Sequence, residues 1–540
     1  MSIIVNKKNM RTNLLDGSAV ALNQLRYATL ISSQNINNAD NPYYSRSTVV
    51  FGSDPSGFLT VSAKRMNNFF LTSQLHSATA NSAYSERYLS FAGSVDKIIT
   101  GIVPDASGSA QNPILGGIDD ITEALNSLAS TDSSSGRSSL LSRVNSLISN
   151  ANSMQETLDE FRSQVDAELV SNAKVLESQA KQLAEINKRL SSSPNDNNLL
   201  TQRDTLLGQM SKLVDIDVSE RNNGVVDVRI SGGYSLVDGQ KSSEVSAEVG
   251  TYGDDLYLSI NGDVLTNPEK VGGALGGNLA AREEIINEAE RALSKTLVGY
   301  FSELNNANKL GYTRDGLSGS ELISIPESKT LANIKNNGTG NFNISLDQSK
   351  VSDLTTGPIE IEKTASGFLV TDKSSGKTIT SNSSPIEAFG YIFEATGGMV
   401  AGDKFLADPL QNMLGGAKVT SDINSIAAAS KLPVASGDTN NLKNLAQVSD
   451  AKIFNNGKDT VYSETSNVFV AIGNTHVYAK QNATTNKTIT ETASMRWANL
   501  SGVNTQEEEL NMIKYQQIYQ SVSKVIESDK KMFESILGVV

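Results

Sequence analysis

Apolar and small residues recur at helical spacing near both ends of the chain. Between about 13 and 36 they fall every three or four positions, and the repeat consists of Leu14, Ser18, Ala21, Leu25, Ala28 and Ser32, flanked by Leu15, Leu22 and Ile36. This spacing predicts an amphipathic helix that ends in the Asn-rich run 37–42. Its apolar face can pack on its own domain, or on a partner helix that is distant in sequence or on another subunit, and periodicity leaves both open.

The last segment of the chain carries a broader apolar face. Thr505 and Glu508 have the T-x-x-E spacing of a capping box, and the glutamates 507–509 place negative charge at the positive end of the helix dipole. Two columns of large residues follow, namely Tyr515, Ile518, Val522, Val525, Met532 and Ile536 in the first and Tyr519, Ile526, Phe533 and Leu537 in the second. A helix with so wide an apolar face needs cover.

The strongest periodic signal lies between the ends, from about 138 to 192, where the chain contains neither proline nor glycine. Apolar residues follow an a/d repeat, interrupted by the polar Glu168, Asn172 and Gln179. We therefore predict one helix of about 80 Å. A second helix, 199–213, is predicted to fold back beside it as a hairpin, and the alternative is a parallel coiled-coil dimer.

Two regions have the alternating pattern of β-strands. Residues 225–263 alternate between Gly and Asn-Gly turns, and residues 318–408 are rich in Gly, Ser, Thr and Asn, with short alternating runs. Further helices are predicted at 279–310 and 463–497. The fold class is therefore α+β and multidomain, with terminal helices pairing as an α-helical coiled-coil module, a long-helix bundle domain and inserted small antiparallel β domains.

The predicted domain division follows from these elements. Neither terminal helix can form a stable domain alone, so the economical arrangement pairs the two ends. The boundaries are 1–60 with 496–540 for the terminal helical assembly module, 61–215 with 275–317 and 415–495 for the helical bundle domain, 216–274 for a small β unit, and 318–414 for the outer β domain or domains.

Composition narrows the classes of function. A length of 540 residues suggests three or four domains, and 38% hydrophobic with 6% aromatic residues suits elongated helices and thin β domains. A formal net charge of −13 without a Lys/Arg cluster argues against nucleic acid and anionic membranes as partners. We expect neither membrane insertion nor a cleaved signal peptide, because no stretch has the required apolar length. The absence of cysteine excludes disulfides.

Residues typical of catalysis are sparse. The two histidines, His76 and His476, do not form an H-x-x-x-H pattern, and no G-x-S-x-G elbow exists. The glycine-rich run 272–277 lacks the G-K-[ST] ending of a phosphate loop, which favours a turn that leads into a helix. The sole tryptophan, Trp497, is expected to pack at a junction. We predict no enzymatic activity, no catalytic residues, no cofactor and no metal.

Two motifs at the ends resemble the flagellar rod, hook and hook-associated protein family. Residues 32–46, SSQNINNADNPYYSR, follow the first helix as the N-I-A-N-x-x-T-P-G-Y-S-R signature does in that family. Here Tyr43 replaces the usual glycine and Asn41 the usual threonine, and tyrosine resists a positive φ. Residues 501–508, SGVNTQEE, and 514–519, KYQQIY, resemble the family's S-G-V-N-x-x-E-E and R-Y-Q-Q-A-Y runs.

The resemblance implies that both end segments make the assembly contacts. The residues implied are Leu14, Leu22, Leu25, Asn35, Asn38, Pro42, Tyr44, Ser45, Arg46, Gly502, Val503, Asn504, Glu508, Tyr515, Ile518, Val522, Val525, Phe533 and Ile536. The segments 183–190, 200–207 and 276–282 resemble the family member that lies between hook and filament.

The function implied by the resemblance is that of a structural subunit at the hook–filament junction, needed for filament assembly and motility. The implied partners are further copies of itself in a ring, the hook protein, the second hook–filament junction protein, a cytoplasmic export chaperone and the flagellar type III export apparatus. The implied location is the extracellular flagellum, reached through its export channel. The chain ends would become ordered when they bind. The alternatives are another axial protein, such as a hook or filament subunit, and a secreted adhesin or enzyme in the outer β region.

Overall fold

The computed structural model describes residues 2–53, 55, 58–101, 103–104, 110–194, 196–253, 255–411, 413–420 and 422–537. Side chains are described at these positions except 2–15, 103, 104, 110, 111, 222, 414, 533, 536 and 537.

The chain folds into two compact units, each assembled from separate stretches of sequence. The first unit consists of Met1–Ser82, Leu176–Ser243 and Thr485–Val540, and the second of Ala83–Val175 and Glu244–Thr484. The two ends of the chain therefore belong to one unit. The four-domain division drawn from the sequence is finer than this and stays a prediction.

Long helices dominate the described chain. In chain order its α-helices, long and short, are α1 (Ser2–Asn37), α2 (Phe69–Ile99), α3 (Pro113–Ser130), α4 (Ser134–Ser192), α5 (Asn197–Leu213), α6 (Pro268–Val271), α7 (Gly273–Ala281), α8 (Glu288–Lys309), α9 (Asn440–Ala446), α10 (Val461–Ser501) and α11 (Thr505–Leu537). The helices predicted from periodicity are confirmed, although α1 begins earlier and α10 ends later than expected. A π-helical turn, Arg282–Asn287, which the sequence pattern did not indicate, joins α7 to α8.

The predicted hairpin of α4 and α5 is confirmed. Asp196 caps α5, because its side chain accepts hydrogen bonds from the backbone N–H groups of Asn198 and Leu199 at 2.9 and 3.2 Å. Gln179 Nε2 donates to Gln209 Oε1 at 3.4 Å, so α5 runs back beside the end of α4. The chain thus supplies the partner that the alternative, a coiled-coil dimer, would have taken from a second copy.

The polar interruption at Glu168 also has a structural reason. Glu168 forms an ion pair with Arg87 of α2 and accepts a hydrogen bond at 2.9 Å from Asn278 Nδ2 of α7. Three helices of the second unit therefore meet at this carboxylate.

The strands are short, and in chain order they are β1 (Ser47–Ser53), β2 (Leu59–Arg65), β3 (Val103–Pro104), β4 (Ala110–Gln111), β5 (Ile216–Glu220), β6 (Val226–Ile230), β7 (Ser235–Asp238), β8 (Lys241–Ser242), β9 (Val245–Val249), β10 (Leu256–Ile260), β11 (Asp263–Leu265), β12 (Ile323–Ser324), β13 (Ser328–Lys329), β14 (Leu331–Ala332), β15 (Asn341–Leu346), β16 (Ile359–Lys363), β17 (Phe368–Asp372), β18 (Thr378–Ser381), β19 (Ile386–Ala388), β20 (Tyr391–Thr396), β21 (Lys404–Ala407) and β22 (Lys418–Val419).

Each described strand pairing is antiparallel. In the first unit, β1 pairs with β2 from Ser47↔Arg65 to Ser53↔Leu59, and a sheet has the order β5-β6-β7-β8. In the second unit the larger sheets have the orders β13-β15-β20-β19 and β14-β21-β16-β17-β18. Smaller sheets are β11-β10-β9, β12-β22 and β3-β4.

The region predicted as one small β unit, 216–274, contains two sheets instead. Strands β5 to β8 belong to the first unit and β9 to β11 to the second. Alternation shows which residues face a core, such as Val226, Val228 and Ile230 of β6, but it does not show which core they face.

The outer β region shares its core with helices of the second unit. The ring of Phe342 meets those of Phe368 and Phe405 edge-on at centroid distances of 5.4 and 5.3 Å. The same continuous core includes Leu297 and Phe301 of α8. None of the described helices combines the length and apolarity needed to cross a membrane.

Candidate functional site

The N-terminal signature folds back onto the end of α1 through the side chain of Asn35. Asn35 is fully buried, and its Nδ2 donates to the carbonyl oxygen of Ser47 at 2.8 Å. Its Oδ1 accepts from the Ser47 N–H at 3.0 Å and from the Tyr44 hydroxyl at 2.8 Å. The amide therefore pairs with the backbone as a neighbouring strand would, at the position where β1 begins. A buried polar group that loses its partner costs about 1–3 kcal/mol, so the pairing fixes this turn.

Arg46 joins this signature to the C-terminal motif. Its backbone N–H donates at 2.7 Å to the carbonyl oxygen of Ser501, the last residue of α10. Its guanidinium forms an ion pair with Glu507 at 3.0 Å between Nη1 and Oε2. The ion pair is partly exposed and contributes about 0–1 kcal/mol, whereas the backbone hydrogen bond ties the signature to the end of α10.

The two terminal helices pack along each other. The C-terminal end of α1 contacts the signature through Asn35 and Tyr44, and the N-terminal end of α11 contacts it through Glu507 and Arg46. Opposite ends of the two helices therefore lie together, so the helices run antiparallel. The prediction that the end motifs come together in one helical module therefore has a direct structural counterpart.

The first turn of α11 is capped by Asn504 and not by Thr505 as predicted. Asn504 Oδ1 accepts hydrogen bonds from the N–H groups of Gln506 and Glu507 at 3.1 and 3.3 Å. Thr505 is already the first helical residue. Asparagine is at least as good an N-cap as threonine. Asn504 also has a glutamate, Glu507, three residues after it, as Thr505 has Glu508, so the sequence pattern does not distinguish the two caps.

Behind this turn, Glu508 is buried close to two tyrosines. Burial raises the pKa of Tyr44. The positive charge of Arg65 lowers this pKa, and the negative charge of Glu508 raises it further. Burial and Glu508 likewise raise the pKa of Tyr515. The ring of Phe51, on β1, lies 5.8 Å from that of Tyr515. The buried side of α11 therefore meets the first hairpin as well as α1.

Two family models match the chain. Residues 106–323 match the flagellar hook-associated protein FlgK helical domain, and residues 498–539 match the flagellar basal body rod FlgEFG protein C-terminal segment. Flagellar hook-associated protein 1 of Salmonella typhimurium (strain LT2) is 24% identical, and that of Escherichia coli (strain K12) 22%, each match covering 98% of this chain and all of the relative. The chain is therefore similar to the flagellar hook-associated proteins over nearly its whole length.

A solved structure agrees on the fold. The flagellar hook junction protein FlgK from Burkholderia pseudomallei superposes with a TM-score of 0.71 at 19% sequence identity, over 79% of this chain and 100% of that one. At this identity the match supports the α+β multidomain fold predicted from the sequence.

The other predicted assembly residues lie around the same module. Ser45 is buried, and Asn38 caps the end of α1 by donating from Nδ2 to the carbonyl oxygen of Gln34 at 2.8 Å. Val503 is half-buried and Pro42 exposed. On α1, Leu25 is buried and Leu22 half-buried, whereas the side chains of Leu14, Phe533 and Ile536 lie outside those that the structure describes.

Gly502 makes the turn between α10 and α11 possible. A Cβ at this position would lie 2.5 Å from the carbonyl oxygen of Ala498, which accepts the Gly502 N–H at 2.8 Å. A larger residue would have to break the end of α10.

The covered face of α11 differs from the predicted first column. Tyr515 is buried and Val522 half-buried, but Ile518 is 37% exposed and Val525 51% exposed. Residues of the second predicted column, Tyr519 and Ile526, are half-buried, and Met532 is exposed. The apolar face is too wide for α1 to cover, because one neighbouring helix shields only part of another helix's circumference. We call the open part, Ile518, Val525 and Met532, the open column.

The sequence argument missed several partners of the predicted residues. Ser47 holds Asn35, and Phe51 covers Tyr515, yet both follow the signature and carry no motif of their own. The run of β-branched and aromatic residues in β1, Thr48 to Phe51, favours a strand but does not identify its contacts.

The two histidines have structural partners. His76 is buried, and burial lowers its pKa to about 4. The charge of Asp204 raises this pKa, and that of Arg203 lowers it. His476 Nδ1 lies 2.8 Å from Asp96 Oδ2. Among the described residues, no group of three or more His, Cys, Asp or Glu side chains is placed to hold a metal ion.

Proposed function

We propose that this protein is a structural subunit of the bacterial flagellum that forms the junction between hook and filament and is required for filament assembly and motility. The observation that carries the proposal is the closure of the two end motifs into one module, through Arg46, Ser501 and Glu507. Relatives that match over their full length are named flagellar hook-associated protein 1. The role is structural, and we propose no enzymatic activity.

The open column supplies the attachment surface. Its three apolar side chains, at seven-residue spacing, lie on the side of α11 that α1 leaves uncovered, and on α1 Tyr27 and Leu30 are also exposed. Burying one such side chain contributes about 1.5–3 kcal/mol. In a ring of identical subunits, each helix pair would cover the open column of its neighbour, and this gain would order the ends of the chain.

The remaining partners follow from the position of a junction subunit. The hook protein would lie on one side of the ring, and the second hook–filament junction protein on the other. Before assembly, a cytoplasmic export chaperone would cover the open column, and the type III export apparatus would deliver the chain to the extracellular end of the flagellum.

The test is a strain whose only copy of the protein ends at residue 504. The truncation removes α11 and leaves every stretch of the second unit in place. We expect the second unit to remain folded, and electron microscopy to show hooks without filaments while filament protein accumulates in the medium. The full-length chain expressed from the same plasmid is the control. Normal filaments with the truncated protein would contradict the proposal.

A further inference from the structure

A cavity of about 310 Å³ opens in the second unit between α2, the π-helical turn and α10. Its walls are phenol rings and small polar groups, and they include Tyr84, Tyr88, Glu284, Thr475, Tyr478 and Asn482. Of the described residues that line it, Glu284 alone carries a charge. The cavity thus combines one carboxylate with three aromatic side chains.

Aromatic rings line the cavity from two helices, α2 and α10. Tyr84 and Tyr88 lie one turn apart on α2, and their rings are nearly parallel, with an angle of 8° and a centroid distance of 6.4 Å. Tyr478 of α10 adds a third ring whose side chain is 65% exposed. The face of an aromatic ring attracts a cation by about 0.5–2 kcal/mol, more as the site loses water.

Glu284 gives the cavity a negative potential. Tyr88 shares a hydrogen bond with Glu284, and burial together with this carboxylate raises the pKa of Tyr88. Burial, Glu284 and Glu269 raise the pKa of Tyr84 to about 12. Both phenols are therefore neutral across the physiological range, and Glu284 is the one carboxylate among the described residues that line the cavity.

Two unusual backbone features hold these groups in place. The π-helical turn, a form frequent at functional sites, carries Glu284. On the other side of Tyr84, Gly276 and Gly277 let α7 approach α2 closely, since a Cβ at Gly277 would lie 2.4 Å from the carbonyl oxygen of Tyr84. A Cβ at Gly276 would lie 3.3 Å from the Tyr84 ring. The glycine-rich run thus acts through helix contact and not as a phosphate loop.

A second hollow, of about 230 Å³, adjoins the cavity and shares Glu284 and Thr475 with it. Its other walls are mainly small and apolar, and include Ala92, Ala289 and Ile472, while Glu288 adds a second carboxylate at its edge. A ligand that fills both hollows needs an aliphatic part next to a charged end.

We propose that the two hollows bind an organic cation, an ammonium or guanidinium group on an aliphatic stem. Glu284 and the tyrosine rings hold the charge, and the alanine-lined hollow takes the stem. The same chemistry could come from a free amine or from a lysine or arginine side chain of a second copy. The inference is independent of the proposed flagellar role, because it concerns a different unit from the terminal module.

The test is a calorimetric titration of the full-length chain with n-pentylammonium and with the neutral n-pentanol. We expect the amine to bind at least about tenfold more tightly than the alcohol, the factor that corresponds to about 1.4 kcal/mol. Glu284→Gln should weaken amine binding by about tenfold or more. The matched control, Glu269→Gln, removes a nearby charge that does not line the cavity and should stay within about twofold of the parent.

Equal affinity for amine and alcohol, no binding of the amine, or unchanged binding by Glu284→Gln would each overturn the proposal. Tyr478→Ala provides a second variant that keeps the fold, because this side chain is largely exposed. It should also lower the affinity for n-pentylammonium. Sedimentation distinguishes the two sources. Self-association that n-pentylammonium reverses assigns the site to a basic side chain of another copy, and a monomer that binds the amine assigns it to a free cation.

Discussion

The ring of Tyr43 lies directly on Gly208 of α5, and its hydroxyl donates to the Gly208 carbonyl oxygen at 3.3 Å. A Cβ at Gly208 would lie 2.1 Å from Cε1 of Tyr43, closer than any pair of carbon atoms not bonded to each other can approach. Tyr43 stands where the family signature has glycine, and it does not have a positive φ. The turn after Pro42 therefore needs no left-handed residue here, and the chain instead leaves room for the ring at position 208.

Gly208→Ala should destabilise the first unit by about 1–3 kcal/mol, because either α5 or the ring of Tyr43 must move. The measurement is denaturant unfolding followed by the fluorescence of Trp497, the only tryptophan, which is buried in the same unit. In a Tyr43→Ala background the same substitution should become neutral or stabilising by up to about 1 kcal/mol, since alanine is the better helix former. An unchanged stability of Gly208→Ala would show that the contact is not tight.

Asn35→Ala should cost about 2–3 kcal/mol, because the buried N–H and carbonyl of Ser47 and the hydroxyl of Tyr44 lose their partner together. Asn23→Ala is the matched control, since Asn23 is exposed on the same helix and should change stability by less than about 0.5 kcal/mol. Trp497 fluorescence gives both values. Hydrogen exchange at Ser47 should accelerate in the first variant alone, and equal losses in the two variants would contradict this role for Asn35.

Acid should weaken the first unit through His76. Its pKa is about 4 in the folded chain and about 6.5 in the unfolded chain. Between these pH values the unfolded state binds a proton at His76 and the folded state does not. The contribution of neutral His76 to the free energy of unfolding is fully present above pH 6.5. It falls as the pH drops towards 4, by up to about 3 kcal/mol.

The variant His76→Gln should have a flatter dependence of unfolding free energy on pH between 6.5 and 4, again measured through Trp497. His476→Gln is the control, because His476 belongs to the second unit. Parallel pH profiles for the parent and His76→Gln would exclude the histidine as the cause.

The sequence was sufficient for the long helices because their signal is repeated many times. In α4 the a/d repeat from about 138 to 192 contains neither proline nor glycine, so no tertiary contact is needed to identify the helix. The contact between the two ends could also be predicted from the sequence, since Arg46 and Glu507 lie in the two end motifs that occur together in the flagellar signature.

Other features depend on contacts that no local pattern contains. Thr505 and Asn504 are both good caps, and only the structure shows that Asn504 accepts the hydrogen bonds from the first turn of α11. The exposure of Ile518 and Val525 depends on how much of α11 a single partner helix can cover. The cation cavity joins α2, the π-helical turn and α10, so its residues share no motif, and the π-helical turn that carries Glu284 has no sequence signature.

Placing a charge on the open column should separate assembly from folding. Val525→Lys and Ile518→Lys change exposed side chains, so the unfolding free energy reported by Trp497 should shift by less than about 0.5 kcal/mol. A lysine buried in a subunit contact without a partner costs several kcal/mol, so these variants should fail to support filaments in a deletion strain scored by motility and electron microscopy. Gln520→Lys adds the same charge at an exposed position on another side of α11 and should assemble normally. Normal motility of both open-column variants would mean that neighbouring subunits attach elsewhere.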